Sequence, residues 1–517
     1  MDETPVDLLV VGGGINGAGI ARDAAGRGWS VVLCEQGDLA GATSSASTKL
    51  IHGGLRYLET FQFRLVREAL EEREVLLRAA PHIVRPLRFV LPHNELLRPA
   101  WLIRLGLFLY DNLAGRGSLP GSHRVDLRRD PAGPPLDPKL RRGFDYYDCW
   151  VEDARLVVLN AIDAHERGAA ILPRTECVAA RREGGLWRAT LRSAKGEERI
   201  VGARALVNAA GPWVDSVLGR LGAKARGQVR LVKGSHIVVP RLYEGEHAYL
   251  LQNDDRRVVF AIPYEGRFTL IGTTDVDHPR DAAAPHIDPE EVAYLCAAVG
   301  RYFTKPVAPA DVVWSYSGVR PLYDDRTADP SSVTRDYVLE LDGANGAAPL
   351  LSVFGGKITT YRRLAEHALE TLGPLLGGAR PAWTAAAPLP GGDIPNGDMA
   401  VLIEAAQRKW SWLPIPMARR YAHAYGTRME RLLGNGGSIP DLGQPLGDSI
   451  YEAELDYMVR AEWAETAEDV LWRRSKLGLH VSPATAEAVD AWMRARLSGA
   501  LTPAIPALTR PVPAPRY

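Results

Sequence analysis

Gly12, Gly14 and Gly17 follow the apolar run Val6–Val11 as Gly-x-Gly-x-x-Gly, and Glu35 closes a second apolar run, Ser30 to Cys34. Glycines at this spacing give a tight turn, a backbone that approaches a pyrophosphate, and close packing of helix on strand. The free N–H groups of the following helix, beginning at Ile15 and Asn16, face the anion. A carboxylate about twenty residues farther on accepts from both hydroxyls of an adenosine ribose. Strand, glycine turn, helix and acid together read as a dinucleotide-binding unit. An acid where a basic residue would meet a 2′-phosphate leaves NAD or FAD as the ligand.

Residues 41–57, GATSSASTKLIHGGLRY, have no apolar periodicity and are dense in small and hydroxyl side chains. Such a stretch suits donors wrapped around a second phosphate and a fused ring, and it runs straight into His52, Arg56 and Tyr57. His236 lies in an alternating segment, where the ordinary fate of a histidine is to be hydrogen-bonded structure. Arg320 stands among apolar neighbours and hydroxyls, and a buried guanidinium needs an anion, either a structural carboxylate or a substrate. Two more glycine turns follow apolar runs, at Ala210-Gly211 and at Gly355-Gly356-Lys357.

The stretch TSSASTKLIHGGLRYLE, residues 43–59, resembles FAD-dependent glycerol-3-phosphate dehydrogenases, within the wider group of D-amino-acid-oxidase-like flavoproteins. DCWVEDAR from Asp148 and the helical pieces around Asp456 and Asp469 are similar to the same family. The resemblance runs from about residue 6 to residue 497. It implies oxidation of sn-glycerol 3-phosphate to dihydroxyacetone phosphate, hydride passing to non-covalently held FAD and electrons to a membrane quinone. Cofactor contacts are then expected from Gly12, Gly14, Ile15, Asn16, Gly17, Glu35, Thr43, Ser44, Ser45, Ser47, Lys49, Leu50, Val178, Ala210, Gly211, Gly356, Lys357, Ile358 and Thr359. A phosphate dianion needs fixed cations, so Arg320 and Arg56, with Tyr57 and Lys357, are the expected substrate contacts. The alcohol must lose its O–H proton, and a neutral imidazole suits that task. His52 and His236 both qualify, with geometry left to rank them. Lys357 and the helix start beyond it are expected to stabilise negative charge on the reduced flavin.

These residues need a scaffold of more than one core, because 517 residues usually divide into two or three domains. The expected fold is α/β: a Rossmann-like FAD-binding domain (1–85, 150–228 and 335–380), an antiparallel-sheet substrate or cap domain (86–149 and 229–334), and a C-terminal α-helical domain (399–500). A linker, 381–398, and a proline-rich tail, 501–517, complete it. The sheet is expected from the alternation at 229–275, and a β-ribbon from the runs on either side of Gly184-Gly185. Asp153 is expected to cap a helix from about Ala154 to Arg167, and Gly355 to open one reaching about Leu372.

Lysine plus arginine equals aspartate plus glutamate, 62 each, so no net field draws the chain to nucleic acid, and an anion site must be local. The four cysteines have no paired spacing and read as buried small residues in a reduced compartment. The acidic N-terminus carries no leader pattern, and no run of eighteen apolar residues occurs, so a cytoplasmic protein is expected. Residues 99–113, between Arg98 and Arg116, read as a core helix or as one lying in a bilayer interface, the core reading being slightly favoured. The resemblance favours the second and places the protein on the inner face of the cytoplasmic membrane. A homodimer is the default assembly. Rival readings are a glycerol-3-phosphate oxidase using oxygen, an amino-acid oxidase, and a non-catalytic FAD-binding protein.

Overall fold

A computed structural model describes residues 4–93, 98–115, 117–223, 227–255, 257–278, 285–324, 336–343, 346–378 and 380–499. Arg116 and the proline-rich tail lie outside them. Two compact units divide the chain, Met1–Asp393 and Ile394–Tyr517.

The first unit opens with β1 (Val6–Val11), α1 (Ile15–Gly26), β2 (Val31–Cys34), β3 (Leu50–Ile51) and α2 (Phe63–Ala79). Next come β4 (Val84–Pro92), α3 (Ala100–Asn112), β5 (His123–Asp126), β6 (Arg142–Val151) and α4 (Asp153–Glu166). The strands β7 (Ala170–Leu172), β8 (Thr175–Glu183), β9 (Leu186–Ser193) and β10 (Glu198–Asn208) precede α5 (Val214–Arg220). A long meander follows in β11 (Gln228–Pro240), β12 (Ala248–Gln252), β13 (Val258–Tyr264), β14 (Phe268–Gly272) and β15 (Val276–Asp277). The unit closes with α6 (Pro289–Gly300), β16 (Trp314–Asp324), β17 (Val338–Asp342), β18 (Leu350–Phe354) and α7 (Tyr361–Leu376).

One sheet runs β17-β18-β10-β1-β2-β7, with the β8–β9 ribbon attached to β10. Its centre is parallel from β18 to β7. Leu8–Val11 of β1 and all of β2 are apolar and buried, as burial on both faces demands, and α1, α4 and α7 pack together beside them. Register decides where the functional groups emerge. Val11 pairs with Cys34 and with Asn208, and Asn208 pairs with Ser352. The turns after β1, β2, β10 and β18 therefore leave the sheet along one carboxyl edge, the edge at which open α/β sheets bind ligands.

The second sheet runs β15-β11-β14-β13-β12-β4-β6-β3, with β16 paired to β11 and β5 to β6. It is antiparallel except where β12 meets β4. Its core of Tyr249, Ile271, Leu295, Val299 and Phe303 lies under α6, which starts from a capping box of Asp288 and Glu291. The short strand β3 joins this sheet through β6, although β2 before it lies in the first sheet.

Three local expectations are corrected. Asp153 is the first residue of α4 and not its cap, because its carboxylate is taken by Lys49 Nζ at 2.7 Å and Ser47 Oγ at 2.8 Å. The helix expected to open at Gly355 begins at Tyr361, since Gly355 and Gly356 sit at φ +72° and +96°, outside helical backbone. α3 is not a core helix. Ile103, Leu107 and Tyr110 are buried, but Trp101 and Phe108 on the opposite face are 67% and 55% exposed. All four cysteines are buried and unpaired, as expected.

In the second unit, α8 (Met399–Lys409), α9 (Ile415–Tyr425), α10 (Met429–Leu433), α11 (Glu452–Glu462) and α12 (Pro483–Leu497) surround a core that includes Tyr421, Tyr425, Met458 and Trp492. Glu454, deep in this core, receives Arg420 and the Tyr425 hydroxyl, so its charge is compensated. No helix among the described residues is long and apolar enough to cross a membrane.

Candidate active site

The carboxyl edge of the first sheet assembles four separate stretches. At β1, Gly12 has φ +116°, and a Cβ on Gly17 would stand 1.9 Å from the Gly12 carbonyl oxygen. Only glycine fits either position. Gly14 caps α1 without any side-chain hydrogen bond, leaving first-turn N–H groups for an anion, and Ser44 Oγ accepts from the Ile15 N–H at 3.0 Å. Glu35 accepts from the N–H groups of Gly13 (2.6 Å) and Gly37 (2.8 Å), which keeps its carboxylate at the glycine turn. Burial pushes its carboxyl above the usual range against these two bonds. Each carboxylate oxygen keeps capacity for a hydroxyl donor.

Val178 sits where the β8–β9 register slips, so its peptide is not held in the ladder. Gly211 has φ +54° and open space where a Cβ would stand. Asn16 donates to the Gly355 carbonyl at 3.1 Å, tying α1 to the turn after β18, while its buried Oδ1 has no hydrogen-bond partner among the described residues. An open glycine turn, an uncapped helix start, a buried acid and an orphaned amide oxygen on one edge fit a dinucleotide.

The serine-rich loop is held from below by the second sheet. Thr43 Oγ1 donates to the Val319 carbonyl at 2.6 Å, and Ser45 and Ser47 bond to the Ala42 carbonyl and to Asp153. A Cβ on Gly318 would meet Ala46 at 2.9 Å, and the Pro321 carbonyl lies against Gly355. β16 is thus clamped between the serine loop and the turn after β18. Lys49, Leu50 and Thr359, expected at the cofactor, have 0%, 3% and 2% exposure and are closed off by protein. Lys49 ties Asp153 and the Ser45 carbonyl, and Thr359 accepts from the His52 N–H at 3.3 Å.

His52 follows β3 and is only partly covered. Desolvation and then the Lys357 charge push its imidazole down to about 4, so it is neutral near pH 7. Lys357 Nζ lies 3.9 Å from the centre of the Tyr57 ring, a cation–π contact that joins the His52 loop to the turn after β18. Ile358 is part-buried in that turn, and Arg56 projects to solvent from the single helical turn Leu55–Thr60.

His236, on β11, is fully enclosed. Its Nε2 lies 3.0 Å from Thr48 Oγ1, its ring stacks on Tyr316 at 4.8 Å, and its Nδ1 has no partner among the described residues. Desolvation, with Arg320 and Lys49 adding to it, holds it neutral. Arg320 donates to Asp275 at 2.5 Å and reaches Thr273 Oγ1 and the Thr274 carbonyl at 3.3 Å. The anion it needs is present as a structural carboxylate, yet its side chain remains 39% exposed.

Thr48, Tyr316, Asp275 and Tyr110 went unassigned in the sequence. Asp275 ends the Gly-Thr-Thr-Asp run after β14 and could have been paired with Arg320 by charge alone; the other three carry no local signal. Among the described residues no group of side chains could hold a metal ion.

The chain is similar to known proteins. Residues 7–362 match the family of FAD dependent oxidoreductases, and residues 382–497 match the C-terminal domain of alpha-glycerophosphate oxidase. A glycerol-3-phosphate dehydrogenase of Pseudomonas aeruginosa is 58% identical over 92% of this chain and 93% of its own. A D-erythritol 1-phosphate dehydrogenase of Brucella abortus is 53% identical over 94% and 97%. The crystal structure of a glycerol-3-phosphate dehydrogenase from Bacillus halodurans, complexed with FAD, superposes with a TM-score of 0.77 at 28% identity, covering 96% of this chain and 92% of that one.

Proposed function

We propose, since this chain belongs to the FAD-dependent oxidoreductase family and carries the C-terminal domain of alpha-glycerophosphate oxidase, that it oxidises sn-glycerol 3-phosphate to dihydroxyacetone phosphate. The observation that carries this is the place of His52, a neutral and partly accessible imidazole joined through Thr359 and Lys357 to the turn after β18. The near full-length identity to a relative of that name supports the substrate. FAD supplies the hydride acceptor when bound, held by the turn at Gly12–Gly17, Glu35, Thr43–Ser47, the Val178 bulge, Ala210-Gly211 and Gly356–Ile358.

The protein's own task is to take a proton and hold an anion. His52 Nε2 or Nδ1 receives the hydroxyl proton as the carbon–oxygen double bond forms. We rank it above His236 as the base because no surface of His236 is open to a substrate. His236 instead supports the floor beside Arg320. Arg320, half-exposed beyond its Asp275 contact, and Arg56 with Tyr57 supply donors for the phosphate. Anchoring the phosphate at the far end fixes the reacting carbon in place.

Quinone as electron acceptor and a peripheral site on the cytoplasmic membrane belong to the same proposal. Support comes from one surface: Trp101, Leu102, Leu105 and Phe108 of α3 stand exposed, and so do Phe61 and Phe63 just past the helical turn that packs beside α3.

The test is the anaerobic visible spectrum of the purified protein. Glycerol 3-phosphate should bleach the flavin band, and more readily than D-erythritol 1-phosphate at equal concentration. The reverse preference would move the substrate to the longer polyol phosphate. Air or a soluble quinone is then admitted, and faster recovery of the colour with the quinone is expected; faster recovery in air would make the protein an oxidase.

A further inference from the structure

We infer that Tyr110 is a positioning residue for His52: from the buried face of α3 it fixes the His52–Gly53 peptide and thereby the direction of the imidazole. The inference rests on the role given to His52 above. The two peptides flanking His52 are each held by a side chain from a different element. On one side the His52 N–H donates to Thr359 Oγ1. On the other the Gly53 N–H donates to Tyr110 Oη at 2.8 Å. With both peptide planes set, the Cα–Cβ vector of His52 is set too.

The tyrosine is itself oriented. Its hydroxyl donates to the Asp148 carboxylate, with Oδ2 at 2.7 Å and Oδ1 at 2.9 Å, which turns a lone pair toward Gly53. Arg73 Nη1 holds Asp148 Oδ1 at 3.0 Å and the Tyr147 carbonyl at 2.9 Å, so the acceptor of this chain of bonds is fixed from α2 and β6. Tyr110 and Asp148 are 3% and 1% exposed, and water does not compete. A hydroxyl that donates to a carboxylate is a stronger acceptor in turn, and a low-dielectric site magnifies that.

The close fit limits the alternatives. A Cβ on Gly53 would stand 2.7 Å from both Tyr110 Oη and Leu70 Cδ2, so only glycine lets the peptide come this close. Gly54 follows at φ +76°, where the chain turns away toward Tyr57. Anchoring α3 needs no hydroxyl, because Ile103 and Leu107 are buried on the same face. What the hydroxyl adds is the acceptor 2.8 Å from the Gly53 N–H, which the Asp148 carboxylate behind it also attracts.

The experiment is rapid-mixing anaerobic reduction of the full-length, FAD-loaded protein by glycerol 3-phosphate. Tyr110→Phe should lower the maximal rate of flavin bleaching roughly tenfold to a hundredfold, the scale of a misplaced reacting group. FAD content should stay at one per chain, and the half-saturating substrate concentration should move less than about twofold, since no phosphate contact is altered. Asp148→Asn leaves one accepting oxygen for two donors, so it should lower the rate by less than Tyr110→Phe does and also lower the melting temperature, because Arg73 loses its counter-charge. His52→Ala is the control on the underlying assignment. A wild-type rate in Tyr110→Phe beside a slow His52→Ala would overturn the positioning role alone. Loss of FAD as the cause of a slow Tyr110→Phe would overturn it as well. A wild-type rate in His52→Ala would overturn both the role of His52 and this inference.

Discussion

His52 and His236 are both neutral for the same reason, desolvation beside a cation, yet the chain holds them in opposite ways. His236 is fixed by its side chain: Thr48 takes one ring nitrogen, Tyr316 covers one face, and Gly272 opposite leaves just enough room. His52 is fixed by its backbone, through Thr359 and Tyr110, and the residue is only partly covered. A side chain bonded at one nitrogen, stacked on one face and closed off makes a good wall. One whose peptides are engaged and which is only partly covered can meet a substrate.

The sharpest way to break this contrast is His52→Ala, for which a loss of roughly 10²- to 10⁴-fold in flavin bleaching is expected, as for a removed general base, with FAD still bound. Equal losses from His236→Ala, measured side by side, would erase the ranking of the two. Gly272→Ala attacks the wall directly. Its Cβ would fall 2.1 Å from His236 Cδ2, so the imidazole must shift and the floor with it; a stability loss of about 1 to 3 kcal/mol by urea titration is expected for this overpacking. Arg320→Ala should raise the half-saturating concentration of glycerol 3-phosphate about tenfold or more, and unchanged kinetics would take Arg320 out of the site. Thr48→Val is milder, about 1 kcal/mol of stability, since it removes one buried hydrogen bond.

Both imidazoles also leave a mark on pH dependence. Their folded pKa values lie below the unfolded value of 6.5, so the unfolded chain binds more protons than the folded one as pH falls below 6.5. Stability contributed by the neutral rings is therefore complete above about pH 7 and declines from pH 6.5 toward about 4, the folded value for His52. Melting temperatures across that window should fall more steeply in the wild type than in a protein carrying His236→Asn.

The fold was legible wherever the sequence repeats a physical constraint. Apolar runs ending in glycine marked β1 and the turns after β10 and β18, and alternation marked β11 to β14, because strand burial and pleat leave those periods in any sequence. α3 was misjudged because periodicity reveals an apolar face but not what covers it. Asp153 was taken as a cap for a related reason: it and Lys49 are partners across 104 positions, and nothing local in either neighbourhood reports a buried pair. The histidines could be nominated by type, but what separates them is a hydroxyl from Thr48 and another from α3, and such contacts exist only once the sheets have closed.

One consequence reaches back to synthesis. The carboxyl edge that gathers the site draws on β1 at the start of the chain and on β18, which ends at Phe354. A nascent chain holding β1, α1 and β2 already has the glycine turn and Glu35, but it lacks the strand that carries Gly355, Lys357 and Thr359. Pairings this distant form late and slowly. Capture of the yellow cofactor should accordingly trail translation by most of the first unit, and ribosome-bound chains halted before residue 350 should emerge colourless.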